Sequence, residues 1–330
     1  DLLKSENSVQ KINAVVISGG SAYGLEAASG VMNYLERRGV GFKIGDIRVP
    51  IVCGASLFDL AVGRSDVRPN REMGDIAADN AYLGKFFGGN YGAGTGTSVG
   101  KLYGMDRAMK TGLGTFACKA ENLEIGAISA VNAVGDIYDG NNKIIAGPLS
   151  QDKKSILSTM MLHRDRIFGT SEGEPILSEK NSSAVDDGSD EINAGDTQPK
   201  LTGRNSESIL PIPDNTSPNE IQTINGDIEF GDDDDMIFNT TISCLITNAK
   251  ITKPQANKLA SILHDAYARA IKPVHSSLDG DTIFVVSTNE VDVDFDSFAA
   301  LSTDILQYAI IDSARNAEPA YGLSSARSFE

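Results

Sequence analysis

The sequence predicts a layered α/β fold that is interrupted once by an acidic insert. Strand-like and helix-like patterns occur in both halves of the 330-residue chain, and a polar, acidic stretch separates the two halves. Sheets and helices each have an apolar face to bury, and packing them in layers buries both faces. We therefore predict that residues 1–148 and 239–330 are two parts of one α/β domain, and that residues 149–238 are a linker or insert.

The first half begins with a strand and continues with alternating element types. AVVIS precedes a glycine turn, and LEAASGVMNYLERR has apolar residues at helical spacing until Gly39 ends it. VPIVCGASLFDL predicts a second, buried strand, and GDIAADNAYLGKFF predicts a helix that leads into the glycine-rich GGNYGAGTGTSVGK. GLGTFACKA and LEIGAISAVNAVGDIYD are strand-like and separated by a short polar EN, which predicts a hairpin.

The insert differs in composition from both halves. Ser, Asn, Asp, Glu, Gly and Pro dominate it, with acidic clusters at Asp186-Asp187, Asp190-Glu191 and residues 232–235. Such a segment buries too little apolar surface to offset the entropy lost on ordering. We predict a mobile linker here, with a short helix in LSTMMLHRDRIF.

Ordered patterns return at Thr240. TTISCLITNAKI alternates like a strand, and KPQANKLASILHDAYARAIKPV is an amphipathic helix. DGDTIFVVSTNEV predicts a further strand, and DSFAALSTDILQYAIIDSARNA predicts a closing helix.

Composition excludes several classes of protein. A formal net charge of −16 argues against a nucleic-acid partner, because such proteins carry basic patches that neutralise phosphates. Three cysteines and three histidines show no paired ligand spacing, so we expect no metal and no cofactor. No apolar run approaches the ~20 residues of a membrane span, and DLLKSENSVQK lacks an apolar signal region. We expect a cytoplasmic protein.

Two glycine-rich turns raise the alternative of nucleotide binding. A phosphate loop would need Gly at Thr95 and Ser or Thr at Leu102, and SGGSAYG does not satisfy GxGxxG. A non-catalytic small-molecule-binding protein built on these turns remains an alternative.

Cleavage between Asn239 and Thr240 would give the ordered second half a free N-terminal threonine. A threonine hydroxyl is weakly nucleophilic, but the liberated α-amine, with a pKa of about 8, can act as its base. Before cleavage the same hydroxyl can attack the Asn239 carbonyl and form an ester that water hydrolyses.

Six sequence motifs support the hypothesis of self-cleavage at Thr240. SGGSAYGLEAASGV, VPIVCGASLFDL, GTSVGK, SAVNAVGDIYD, NTTISCLITN and HSSLDGDTIFVVST occur in this order. Together they resemble the family of nylon-oligomer hydrolases, D-stereospecific aminopeptidases and β-peptidyl aminopeptidases, most closely its endo-type 6-aminohexanoate-oligomer hydrolase branch. The resemblance implies an αββα N-terminal-nucleophile fold, a homo-oligomer (a tetramer of processed units) and hydrolysis of small or linear amides or peptides.

The resemblance also implies a role for each matching residue. Thr240 matches the nucleophile, and Asn239 precedes the processed bond, as in the nylon-hydrolase branch. Asn132 matches the donor to the oxyanion, and Lys101 a cation near the nucleophile. Asp279 and Asp281 match carboxylates that orient the new N-terminus. Tyr23 matches an aromatic residue that lines the substrate site. His264 and His275 are assigned to structure or surface, since this mechanism needs no imidazole.

The chain departs from the family at its beginning. Family members usually carry several strands before the segment AVVISGGSAYG, and this chain has none, so we expect either a fragment or strands that are supplied otherwise. Acyl transfer to an amine, as in the related ornithine acetyltransferases, is the alternative reaction.

Overall fold

The computed structural model describes residues 2–168 and 239–329, and the rest of the predicted insert lies outside these ranges. The strands are β1 (Ala14–Ser18), β2 (Phe42–Ile44), β3 (Ile47–Val49), β4 (Val52–Ser56), β5 (Ser98–Val99), β6 (Met109–Lys110), β7 (Leu113–Ala120), β8 (Leu123–Asn132), β9 (Asp136–Tyr138), β10 (Ile144–Ala146), β11 (Thr240–Ala249), β12 (Ile271–Lys272) and β13 (Thr282–Val291). The α-helices are α1 (Ala27–Arg37), α2 (Arg71–Tyr82), α3 (Thr159–Phe168), α4 (Lys253–Ala270) and α5 (Phe295–Arg315).

The largest sheet joins the two halves of the chain. Its strand order is β13-β11-β8-β7, with β11 parallel to β13 and antiparallel to β8. The predicted hairpin is confirmed, since β7 and β8 pair antiparallel from Leu113 to Leu123. The strand that begins at Thr240 therefore lies between a strand of the first half and a strand of the second.

Side chains alternate across this sheet and build two cores. Leu245 and Ala249 of β11 belong to the larger core, together with residues of α4 and α5. Ile242 faces the other way, into a smaller core with Ala130 of β8 and Leu57, and Ile17 of β1 packs against it. The parallel pair β1-β4 thus covers the opposite face of the sheet, α1 packs on that pair, and α2 packs against α1.

The layers thus follow the order helix, sheet, sheet, helix. This order confirms the predicted αββα architecture. The predicted helices and strands of the second half are also confirmed. Thr252 and Gln255 form a capping box at the start of α4, and Asp294 caps α5 by accepting from the Ser297 amide at 2.9 Å. The segment VPIVCGASLFDL differs from expectation, because β4 is half-buried rather than buried.

The short helix predicted in LSTMMLHRDRIF is present as α3. Its first residue, Thr159, donates its amide to the buried carboxylate of Asp136 at 2.8 Å. None of the helices in residues 2–168 and 239–329 has the length and apolar character needed to cross a membrane.

Candidate active site

Thr240 and the peptide bond before it lie at the start of β11. The Thr240 hydroxyl donates a hydrogen bond to the Asn239 carbonyl oxygen, and the Gly280 amide donates to the same oxygen at 3.1 Å. The backbones of Asn239 and Asp279 pair in an isolated parallel β-bridge. A hydroxyl oxygen and a backbone N–H therefore both touch the carbonyl group that precedes Thr240.

Asn132 is the residue opposite Thr240 on β8. Directly opposed residues of an antiparallel pair place their side chains on the same face, with Cβ atoms about 5 Å apart. The Asn132 Oδ1 accepts from the Ser98 amide at 3.1 Å and from Lys101 Nζ at 2.7 Å. Its Nδ2 donates to the Phe58 carbonyl at 2.7 Å. These partners fix the orientation of the amide, and among the described residues the second N–H of Nδ2 has no acceptor and is left for another group.

Lys101 is buried beneath Asn132. Its side chain is 2% exposed, and Nζ also donates to the Asn132 carbonyl at 3.0 Å. Burial lowers the pKa of Lys101 to about 7, because the interior penalises the ammonium form, while the charges of Asp279 and Asp59 act in the opposite direction. The pKa of Lys101 therefore lies well below that of an exposed lysine.

Two carboxylates flank the start of β11 on the side of β13. Asp279 Oδ2 accepts from the Ser276 amide at 2.6 Å, and its buried Oδ1 has no hydrogen-bond partner within the described residues. Asp281 Oδ1 accepts from the Thr241 amide at 2.7 Å. Burial raises the pKa of Asp281; the Thr241 hydrogen bond lowers it, and the charge of Asp279 raises it further.

Tyr23 is placed differently from the other predicted residues. It lies on a short 3₁₀ helix, Ser21–Glu26, with 58% of its surface exposed. The guanidinium of Arg68 lies 3.7 Å from the centre of its ring. The structure thus brings together Asn239, Thr240, Asn132, Lys101, Asp279 and Asp281, while the observed contact of Tyr23 is with Arg68.

Sequence reasoning missed Asp59, the residue that follows Phe58. Asp59 Oδ1 accepts from the Gly20 amide at 2.7 Å. A Cβ atom at Gly19 or Gly96 would lie 2.3 or 2.6 Å from Asp59 Oδ2, so both glycines leave room for this carboxylate. Burial raises the pKa of Asp59, and the charges of Lys110 and Lys101 oppose that effect. The only signal in the sequence is an acidic residue at the exit of an apolar strand.

Sequence reasoning also gave His275 no place near the site. Its Nδ1 lies 2.8 Å from Asp281 Oδ2, and its Nε2 lies 3.3 Å from Nδ1 of His264. His275 has a φ of 56°. Sequence spacing could not reveal this contact, because it depends on the turn that residues 273–280 adopt between β12 and β13.

Comparison with known proteins relates the chain to one family. The sequence model of peptidase family S58 matches residues 1–327 of this chain. It is 31% identical over 300 residues to an uncharacterized aminopeptidase of Mycobacterium leprae, covering 88% of this chain and 64% of that protein. It is 25% identical over 316 residues to a 6-aminohexanoate-oligomer endohydrolase of Kocuria sp., covering 92% of this chain and 72% of that protein.

The chain therefore spans 64% of the length of the Mycobacterium leprae relative. Among solved structures, the L-aminopeptidase D-Ala-esterase/amidase of Ochrobactrum anthropi aligns over 90% of this chain and 64% of its own length. The TM-score of that alignment is 0.49 and the sequence identity is 14%.

Proposed function

This chain belongs to peptidase family S58, and on that premise we propose that it is a self-processing amide hydrolase whose nucleophile is Thr240. The observation that carries the proposal is the contact between the Thr240 hydroxyl and the Asn239 carbonyl. The contact places Thr240 Oγ1 next to the carbonyl group that it would attack in self-cleavage.

Self-cleavage proceeds in two steps. Thr240 Oγ1 forms a bond to the Asn239 carbonyl carbon, the C–N bond to Thr240 breaks, and the hydroxyl proton ends on the released amine. Water then hydrolyses the ester, leaving a carboxylate on Asn239 and a free hydroxyl and amine on Thr240. The Gly280 amide, 3.1 Å from the Asn239 oxygen, is placed to stabilise the negative charge that develops there.

Hydrolysis of a substrate uses the new chain end. The Thr240 amine takes the hydroxyl proton as Oγ1 attacks the amide carbon, and it passes that proton to the leaving amine as the C–N bond breaks. Water then attacks the ester formed on Oγ1, which releases the acyl group as a carboxylate and restores the hydroxyl. The second N–H of Asn132 donates to the oxyanion, and a donor of this kind is typically worth about 3 kcal/mol. Lys101 strengthens that donor by binding Asn132 Oδ1, and Asp279 and Asp281 orient the amine.

The proposed substrates are small or linear amides: peptides with free amino ends, β- or D-amino-acid derivatives, or 6-aminohexanoate oligomers. Support comes from relatives that are named as an aminopeptidase and as a 6-aminohexanoate-oligomer endohydrolase. We further propose a cytoplasmic homo-oligomer, with Tyr23 lining the substrate site. Membership of a peptidase family favours water over an amine as the acyl acceptor, and it disfavours a non-catalytic binding role.

Mass spectrometry of the intact protein with N-terminal sequencing tests the proposal. Wild type should give two fragments, the second beginning at Thr240, and should hydrolyse aminoacyl p-nitroanilides or 6-aminohexanoate oligomers. Thr240→Ala should remain uncut and inactive, while the matched variant Thr240→Ser, which keeps a hydroxyl, should still be cut. A single uncut chain that hydrolyses amides at full rate would contradict the proposal.

A further inference from the structure

We propose that Tyr267, on α4, is a positioning residue: its hydroxyl holds the first residues of β11 in place after the bond before Thr240 is cut. This inference rests on the proposed function. Among the described hydrogen bonds Tyr267 has none to Thr240, and it acts through Thr241, the next residue of the strand. Its importance should therefore appear in the processed enzyme more than in the uncut chain.

The cut removes part of what holds the start of β11. In the uncut chain, Asn239 donates its amide to the Leu278 carbonyl at 3.4 Å and accepts from the Gly280 amide at 3.1 Å. These bonds anchor Thr240 to the turn before β13 through the peptide bond that self-cleavage breaks. After the cut, Thr240 is a chain end, and chain ends fray unless other contacts hold them.

In-register pairing with β13 begins only at Ile242, the third residue of the new chain, which lies opposite Thr282. On the other side of the strand, Thr240 is paired with Asn132 of β8. Thr241 therefore lies between the cut and the parallel part of the sheet. What holds Thr241 on the side of β13 decides how well the new chain end is fixed.

Side chains hold both backbone groups of Thr241. Its amide donates to Asp281 Oδ1 at 2.7 Å, and its carbonyl accepts from the Tyr267 hydroxyl at 3.2 Å. The same hydroxyl lies 3.3 Å from the Thr282 carbonyl oxygen and 2.8 Å from Ser243 Oγ. Tyr267 therefore joins the first residues of β11 to the first residue of β13, and its single proton is shared among three acceptors.

Tyr267 is itself fixed by packing. It is 0% exposed and belongs to the larger core, on a helix whose start carries a capping box. Its ring is stacked on the ring of His275, with the two ring centres 6.0 Å apart. Burial raises the pKa of Tyr267 well above its usual value, so the hydroxyl keeps its proton and donates. The hydroxyl therefore offers the strand end a donor whose position does not depend on the cut.

The position of Thr240 matters for the proposed chemistry, because its amine and hydroxyl must both meet the substrate beside the Asn132 donor. A displacement of about 1 Å in a reacting group can cost about 10²-fold in rate. In the uncut chain, the contacts of Asn239 hold Thr240 with or without the Tyr267 hydroxyl. Loss of this hydroxyl should therefore slow the hydrolysis of substrates more than it slows self-cleavage.

Tyr267→Phe tests the inference, because it keeps the ring in the core and removes the hydroxyl. We expect self-cleavage within about twofold of the wild-type rate and, in the processed enzyme, a kcat about tenfold lower with little change in KM. In protein labelled with ¹⁵N-threonine, hydrogen exchange of the Thr241 amide should be about tenfold faster in processed Tyr267→Phe than in processed wild type. The Thr241 signal is assigned by its loss in Thr241→Ser.

The matched control is Tyr308→Phe, which removes the hydroxyl of a tyrosine on α5 that is 51% exposed. It should change neither rate nor the exchange of the Thr241 amide. Replacement of Tyr267 by p-aminophenylalanine, which restores an N–H donor at the same place, should recover most of the lost kcat. If Tyr267→Phe does not fold, wild type still provides a test. The Thr241 amide of processed wild type should exchange no more than about threefold faster than that of the uncut Thr240→Ala chain.

A processed Tyr267→Phe enzyme with the wild-type kcat overturns the inference. Equal slowing of self-cleavage and of substrate hydrolysis also overturns it, because that result marks a role in the stability of the whole fold. A Thr241 amide that loses its protection when wild type is cut does so as well. Failure of the proposed function looks different: wild type itself then gives neither fragments nor hydrolysis, and this inference falls with it.

Discussion

Asn132 and Thr240 face each other across the β8-β11 ladder, where the first strand ends and the second begins. Both residues lie on the face of the sheet that turns toward β1 and β4, because they share the parity of Ala130 and Ile242 in the smaller core. The register of one strand pair thus places a hydroxyl beside an amide donor. A slip of one residue would turn either side chain into the larger core.

Asn132→Asp tests the donor at this position. The aspartate keeps an oxygen for Lys101 and for the Ser98 amide, but it loses both N–H groups: the one bound to the Phe58 carbonyl and the one that would meet the oxyanion. We expect kcat to fall by about 10²- to 10³-fold with little change in KM. Steady-state kinetics on the processed enzyme measures this. The control is Asn122→Asp in the β7-β8 turn, and an equal loss in that variant would count against the role of Asn132.

Gly280→Ala tests the surroundings of the self-cleaving bond. A Cβ atom at this position would lie 3.1 Å from Thr240 Oγ1, which is tight enough to displace the hydroxyl from the Asn239 carbonyl. The half-life of the uncut chain should therefore lengthen by about tenfold, the cost of roughly 1.4 kcal/mol in the barrier. Gel analysis after synthesis measures this half-life. Gly140→Ala, whose Cβ would meet no atom within 4 Å, should cleave at the wild-type rate.

His275→Asn tests the contact with Asp281. Asparagine tolerates the φ of 56° at this position, but its shorter side chain does not reproduce the imidazole that lies 2.8 Å from Asp281. Because His275 lowers the pKa of Asp281, its removal should raise that pKa, and the acid limb of kcat should move to higher pH. The pH profile of His163→Asn, on α3, should match wild type. An unmoved acid limb in His275→Asn would show that Asp281 does not depend on this contact.

The buried lysines predict how stability changes with pH. Burial lowers the pKa of Lys110 to about 7, opposed by Asp59, so the unfolded chain binds more protons than the folded chain above pH 7. The contribution of Lys110 to the free energy of unfolding therefore rises as the pH increases from 7 toward the unfolded pKa of about 10.4. Lys110→Met should make the plot of the free energy of unfolding against pH shallower by up to about 1.4 kcal/mol per pH unit.

Urea unfolding of the uncut Thr240→Ala chain, with and without Lys110→Met, measures the slope between pH 7 and pH 10. Lys85→Met changes a lysine that follows α2, where no buried partner is involved, and should leave the slope as it is. Equal slopes in all three chains would mean that Lys110 keeps its proton in the folded state.

Periodicity and turn residues predict the long elements but not the short strands β2, β3, β5, β6, β10 and β12. The alternation in TTISCLITNAKI and the helical spacing in KPQANKLASILHDAYARAIKPV predicted β11 and α4, because one face of each is buried in the larger core. The grouping of Lys101, Asn132, Asp279 and Asp281 around Thr240 was predicted by resemblance alone, since these residues come from four segments of the chain. Their roles remain predictions.

The contacts that the sequence did not predict are tertiary. Asp59 is an ordinary acidic residue by its neighbours in sequence, and only the approach of Gly19 and Gly96 shows that its carboxylate is enclosed. The Gly280 amide and the His275 ring depend on the turn before β13. A local sequence pattern does not reveal the conformation of such a turn, because that conformation depends on the strand against which the turn packs.

The central place of β11 determines how the molecule holds together after a cut at its first residue. Before the cut, β8 and β11 belong to one polypeptide; afterwards, β8 belongs to one fragment and β11 to the other, yet all the inter-strand hydrogen bonds from Thr240 to Thr247 are still available. The product would be a non-covalent heterodimer whose subunits share the four-stranded sheet and the larger core. Its fragments should co-purify through every native column and separate only in denaturant, and neither should refold without the other.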